Sequence, residues 1–184
     1  MHFKQTMIAP TSTVVICFMA MAVVTGCMSW QPEWPTNGPV APAPDVSALL
    51  HTADKLAAVA DNREKLQAAM DAYGRVLERD PHHARALTDL ANQTILMGTA
   101  HTEGRREKNA HYRAAMRLCE RAMYTNPDFK ALSDQGLAPW EACQVLAEED
   151  IPAMMFWATA VLYIFKEVLI FPEQVVNLSW VEHT

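Results

Sequence analysis

The stretch EEDIPAMMFWATAVLYIFKEVLIF, residues 148–171, decides how the rest of the chain is read. It opens on Glu149, Asp150 and Pro152. Acids suit the positive end of a helix dipole, and a proline in the first turn loses no intrahelical bond. From Ile151 to Phe165 no residue is charged. A helix apolar on every side must be enclosed by protein or by lipid. Lys166 and Glu167 interrupt the run before the roughly 20 residues that a bilayer span requires. The reading therefore expects a helix buried by the remainder of the protein, ended or kinked at Phe171-Pro172.

The remainder is long enough to do this. The chain has 184 residues, 51% of them hydrophobic and 20% charged, which is one globular domain with a sizeable core. A formal charge of -6 argues against nucleic acid, which rewards a basic surface. Glycine is scarce and the apolar spacing is helical throughout, so an all-α fold is expected.

The N-terminus reads as an address. His2 and Lys4 precede the apolar segment Thr13 to Val24, which has the length of a signal-peptide core. Val24, Thr25, Gly26 and Cys27 follow, resembling the bacterial lipobox. That resemblance implies diacylglyceryl attachment to Cys27, removal of residues 1–26, and stable anchoring by several acyl chains. Met28, rather than an aspartate, follows the cysteine and favours the outer membrane, the domain facing the periplasm. Residues 27–44 then form a tether kept extended by prolines 32, 35, 39, 42 and 44. Trp30 and Trp34 either sit at lipid headgroups or are incidental to a disordered linker. Of the remaining cysteines, Cys119 falls on an apolar stripe as a buried free thiol, with a Cys119–Cys143 disulfide as the alternative in an oxidising compartment.

A folded domain is expected over residues 45–184. Leu50 to His83 fits one helix–turn–helix unit of about 34 residues. Ala53, Leu56, Ala57 and Ala60 take the packing positions of its first helix, and Ala69, Tyr73, Val76 and Pro81 those of its second. Leu66, Ala69, Met70, Tyr73 and Leu77 share one face, with Arg75, Glu78 and Arg79 toward water. The pattern recurs in Leu87, Leu90, Ala91 and Thr94, with Gly98 as a stop, and then in Ala115, Cys119, Ala122 and Pro127. The wide spacing of the second unit places an insertion in GTAHTEGRREKN, residues 98–109, read as a polar loop. A short helix from Asp128 to Gly136, another over Trp140 to Ala147, and a last one carrying Val176, Trp180 and Val181 complete the expectation.

A lipoprotein signal, imperfect tetratricopeptide-like helix pairs, and Asp150, Pro152, Ala153, Phe156 and Trp157 at the start of an aromatic-rich helix occur together. Together they resemble the T component associated with tripartite ATP-independent periplasmic (TRAP) transporters, over roughly Ala53 to Phe171. The resemblance implies a helical lipoprotein that associates with a periplasmic solute-binding protein, and a trimer enclosing a channel for a hydrophobic ligand. Members of that family run longer, with further hairpins after the apolar helix. The reading thus expects a short member, or a chain truncated at its C-terminus, in which that channel is incomplete.

No catalytic constellation stands out, and neither a cofactor nor a metal is expected. His82 and His83 lie in an inter-repeat turn, and His101 and His111 flank the polar loop, without the spacing of a helical metal site. Glu148, Glu149 and Asp150 read as helix N-terminal acids rather than catalytic carboxylates. Trp140, Phe156, Trp157, Tyr163 and Phe165 either line a groove for a ligand or partner or simply pack against the repeats. The function expected is a non-enzymatic accessory of TRAP-type solute uptake. The alternative is an envelope-assembly scaffold that uses its groove for protein partners.

Overall fold

Three of the helices begin where the sequence supplies a capping side chain. In the computed structural model, which describes Pro32, Trp34 and residues 46–176, eight α-helices run in chain order. The expected signal peptide, Cys27, Trp30, most of the tether, and Trp180 with Val181 lie outside the described residues. Helix α1 is Val46–Ala58 and α2 is Arg63–Arg79. Asn62 caps α2, its side chain accepting from the Lys65 amide at 3.0 Å. Helix α3, Ala84–Ala100, is capped by Nδ1 of His83, which accepts from the Ala86 amide at 3.2 Å. Helix α4 is Arg105–Met123. Helix α5, Pro127–Asp134, has Asn126 as cap and proline in its first turn. It ends at Gly136, whose φ of 90° is a left-handed conformation that suits glycine. Helix α6 is the single turn Pro139–Ala142, continued by a 3₁₀ turn over Cys143–Val145. A second 3₁₀ turn, Glu148–Asp150, leads into α7, Ile151–Tyr163, and α8 is Phe171–Val176. The described residues contain no strand.

The first hairpin packs as its spacing predicts. Ala53 of α1 meets Ala72, Tyr73 and Val76 of α2 and Ala86 of α3 in one buried cluster. Polar ties hold the three helices in register: Tyr73 donates to Asp54 at 3.0 Å, and Arg85 pairs with the same carboxylate at 2.7 Å. Arg75, Glu78 and Arg79 are exposed, as expected. Ala60 lies beyond the end of α1, in the turn, instead of on a helix face.

The larger core joins α3, α4 and α7. Leu87, Ala91 and Ile95 meet Ala115, Cys119 and Ala122, and these meet Ala153, Trp157, Ala160 and Val161. Alanines at the crossings of α4 and α7 let the two backbones approach, and each buried large side chain adds roughly 1.5–3 kcal/mol. Helices α4 and α7 run antiparallel, since Trp157 meets Glu120, Tyr163 meets Tyr112 and Glu167 meets Lys108. Two free cysteines, Cys119 and Cys143, are present among the described residues, so the disulfide alternative does not hold.

Three expectations need correction. Residues 98–109 are not a polar loop: α3 continues through Gly98 to Ala100, α4 starts at Arg105, and only residues 101–104 connect them. Gly98 is therefore no stop. It is buried where α3 crosses α4, and a Cβ there would lie 2.7 Å from Cε1 of Tyr112. The charged residues that suggested a loop form the outer face of the first turns of α4.

The second correction concerns α7. Ala153, Trp157, Ala160, Val161, Ile164 and Val168 are buried, but Ile151, Met155 and Leu162 on the opposite face are exposed. Helices α3 and α4 cover one side only, so the apolar helix is half enclosed. By length and composition Glu148–Val168 could also cross a membrane, although its inner face is occupied by protein contacts.

The third concerns where the helix ends. It widens into a π turn over Ile164–Val168, with the Leu169 amide bonding Ile164 O at 3.0 Å, and breaks there, before Phe171-Pro172.

Candidate functional site

Trp140 and Trp157 come together, their rings 6.4 Å apart and inclined by 35°. Helix α6 presents Trp140 because Pro139 starts it and the Glu141 carboxylate accepts from the Ala138 amide at 2.8 Å. Helix α7 presents Trp157 from its buried face. The two tryptophans line a cavity of about 220 Å³, closed by Met123, Met154, Met155 and Cys143. Flexible thioethers beside indole rings make an adaptable apolar wall. Cys143 lines this cavity, and its thiol donates to the Trp140 carbonyl at 3.2 Å.

The two indoles are not equivalent. Trp140 is half-buried, whereas Trp157 is 8% exposed and donates from Nε1 to Oε1 of Glu120 at 3.0 Å. A buried carboxylate needs such a donor. Trp157 is therefore chiefly a core residue, and Trp140 is the accessible ring.

The other three expected site residues are elsewhere. Phe156 packs half-buried against the main core. Tyr163 stacks on Tyr112 at 5.2 Å, further along α7. Phe165 is half-buried in the π turn, its carbonyl accepting from the Gln174 side chain at 3.0 Å. The five aromatics do not form one groove. Trp34 packs edge-on against Tyr124 with centroids 5.7 Å apart, so the tether touches the domain at the C-terminal end of α4.

A larger and more polar cavity, about 640 Å³, adjoins the same end of α7. Its floor includes Ala122 and Ala153, and its rim carries Arg85, Asp89, Asn126 and Asp150. Asp150 stands at the N-terminus of α7, as the acidic run implied, although its side chain makes no capping bond to that helix. Its carboxylate accepts from the Asn126 side chain at 2.9 Å and from the Ala147 amide at 3.1 Å. Asn126 in turn caps α5. Burial raises the Asp89 carboxyl above its ordinary range, opposed by the Arg85 guanidinium beside it. Neither Asp89 nor Glu120 stood out in the sequence. Each lies next to an apolar stripe, and only the packing of distant helices buries Glu120 and half-buries Asp89.

His83 and His101 border the ends of α3, while His111 lies inside α4, so its assignment to a loop edge is corrected. Burial lowers the His111 pKa, and the charge of Arg63 acts in the same direction. Among the described residues no group of three or more His, Cys, Asp or Glu side chains could hold a metal ion. Comparison with protein-family models, with curated proteins and with solved structures finds no match to this chain.

Proposed function

We propose that this protein is a periplasmic lipoprotein of degenerate tetratricopeptide repeats, anchored through Cys27, that serves a TRAP-type uptake system without itself catalysing a reaction. It acts either by docking the solute-binding protein or by handing over a small hydrophobic ligand. The observation that carries this reading is the cavity between Trp140 and Trp157. It has apolar, methionine-lined walls beside the uncovered face of α7 at Ile151 and Met155. Exposed apolar patches and concave apolar pockets are the surfaces that partners and small ligands occupy.

The test is titration of the lipid-free mature chain with the periplasmic solute-binding protein of a TRAP-type system, followed by tryptophan fluorescence and calorimetry. Saturable binding that Trp140→Ala weakens without loss of the fold supports the proposal. Absence of receptor binding, together with capture of outer-membrane assembly proteins, moves the assignment to an envelope scaffold. The anchor is tested separately, since Cys27→Ala should abolish lipid labelling and leave an unprocessed precursor.

A further inference from the structure

The opposite pole of the molecule carries a different chemistry. Arg105, Arg106, Asn109 and Arg113 of α4 line a cleft of about 420 Å³ against Val168 and Leu169, where the π turn ends. Arg106 lies 17 residues before Met123 of the tryptophan cavity on the same helix, hence about 25 Å away at 1.5 Å per residue. Three arginines line this one cleft in a chain whose formal charge is -6.

Arginines held by neutral oxygens occur elsewhere, Arg63 on the His101 carbonyl and Arg121 on the Pro81 carbonyl, but here three arginines line one cleft. Lys65, Arg85, Lys108 and Lys130 are each paired with a carboxylate. Arg105 instead donates to the Val168 carbonyl at 3.4 Å, and Arg113 to the Asn109 amide oxygen at 3.0 Å. Both acceptors are neutral, and the first contact is long. The carboxylate at the rim, Glu173, accepts from the Ile170 amide at 2.9 Å, capping α8. Gly104 offers no side-chain acceptor to the first turn of α4, so the positive end of that helix adds to the local potential. Guanidinium forks match planar or tetrahedral oxyanions. The Val168 and Leu169 wall, with exposed Ile170 and Phe171 beside it, supplies apolar surface next to the charge.

We propose that this arginine cleft binds a small organic anion, a carboxylate or phosphate group joined to a compact hydrocarbon body. The anion replaces the neutral oxygens on Arg105 and Arg113, Arg106 closes over it, and the hydrocarbon lies on Val168 and Leu169. This second site is independent of the tryptophan cavity and of the uptake assignment.

The experiment titrates the lipid-free mature chain with phenyl phosphate, inorganic phosphate and neutral benzyl alcohol by calorimetry. Saturable binding is expected for phenyl phosphate, weaker binding for inorganic phosphate at the same site, and none for the alcohol. Added salt should weaken the first two. Arg106→Gln with Arg113→Gln should weaken phenyl phosphate about tenfold or more, as loss of charge-assisted hydrogen bonds does. Arg75→Gln, on the far exposed face of α2, should leave it unchanged. Leu169→Asp, which puts a carboxylate on the wall, should abolish binding even if the arginine variants disturb the fold. Equal affinity in all variants, or no saturation by either phosphate, overturns the proposal. So does capture by phosphatidylglycerol vesicles that Phe171→Ser abolishes and phenyl phosphate does not compete, because the patch is then a lipid-surface contact.

Discussion

The indole of Trp157 and the carboxylate of Glu120 form a buried hydrogen bond of 3.0 Å across α7 and α4, between residues 37 apart in sequence. It fixes the rotation of α7 against α4 and sets one wall of the tryptophan cavity.

Trp157→Ala should therefore destabilise the domain by about 3–5 kcal/mol, the range for deleting a packed tryptophan. Trp157→Phe keeps most of the volume but leaves Glu120 short of a donor, for a loss of about 1–3 kcal/mol. Trp140→Ala, at the half-buried ring, should cost less than Trp157→Ala. Urea unfolding of the three variants checks the ranking; Trp140→Ala as the worst of them would contradict the packing described.

Two glycines offer an opposed pair. At Gly98 a Cβ would meet the buried Tyr112 ring, which is held by its stack on Tyr163 and its bond to Glu167. Gly98→Ala should lower stability by roughly 1–3 kcal/mol through overpacking. Nothing lies within 4 Å of a Cβ built on Gly74, in the middle of α2. Gly74→Ala should raise stability by about 0.5–1 kcal/mol, because alanine is the better helix former. Thermal unfolding of both variants measures the contrast.

Glu167 predicts a pH dependence. The ammonium of Lys108, 2.7 Å away, holds its carboxyl below the ordinary carboxylate range, with Tyr112 assisting from 2.8 Å. A depressed folded pKa means that the stabilisation is complete above the unfolded value of about 4.3 and is lost as pH falls through the folded value. Lys108→Gln should thus be less stable than the native chain at pH 7, by about 1–2 kcal/mol. The gap should narrow as the pH is lowered below about 4. A gap independent of pH would remove the ion pair as its cause.

The cysteines should react unequally. Burial pushes the Cys119 thiol far above its usual pKa, and the neighbouring Glu120 adds to the effect. Cys143 is half-buried on the cavity wall. Iodoacetamide followed by peptide mapping should find Cys143 modified in the native protein and Cys119 protected until denaturant is added. Equal labelling of both would argue against the buried setting of Cys119.

The helices were legible where one face repeats at helical spacing. Ala69, Tyr73 and Val76, and then Ala115, Cys119 and Ala122, are buried as their period implies. The short helix before Gly136 was legible too, because the glycine there has a positive φ. Gly98 was misread because a glycine after an apolar run signals a stop locally, whereas here its small size serves a crossing with Tyr112, unseen in the local sequence. Residues 105–109 looked like a loop because they are charged, yet a solvated helix face has the same composition. Of the five aromatics proposed for a site, only Trp140 and Trp157 share a cavity. Position along a helix says little about which side its neighbours cover. The arginine cleft was harder still, since its arginines and its apolar wall come from segments some 55 residues apart.

The antiparallel pairing of α4 with α7 also bears on how the chain is made. The first four helices find their partners close in sequence, and such local contacts form early and fast. The apolar α7 reaches its place only after the 27 residues that separate Met123 from Ile151 have been made. Until then the stripe of Ala115, Cys119 and Ala122 has no cover from α7. A nascent chain at that stage displays sticky surface on two partners at once, the condition under which chains associate with one another or with chaperones. Synthesis order thus leaves the closing of the core to its most aggregation-prone segment.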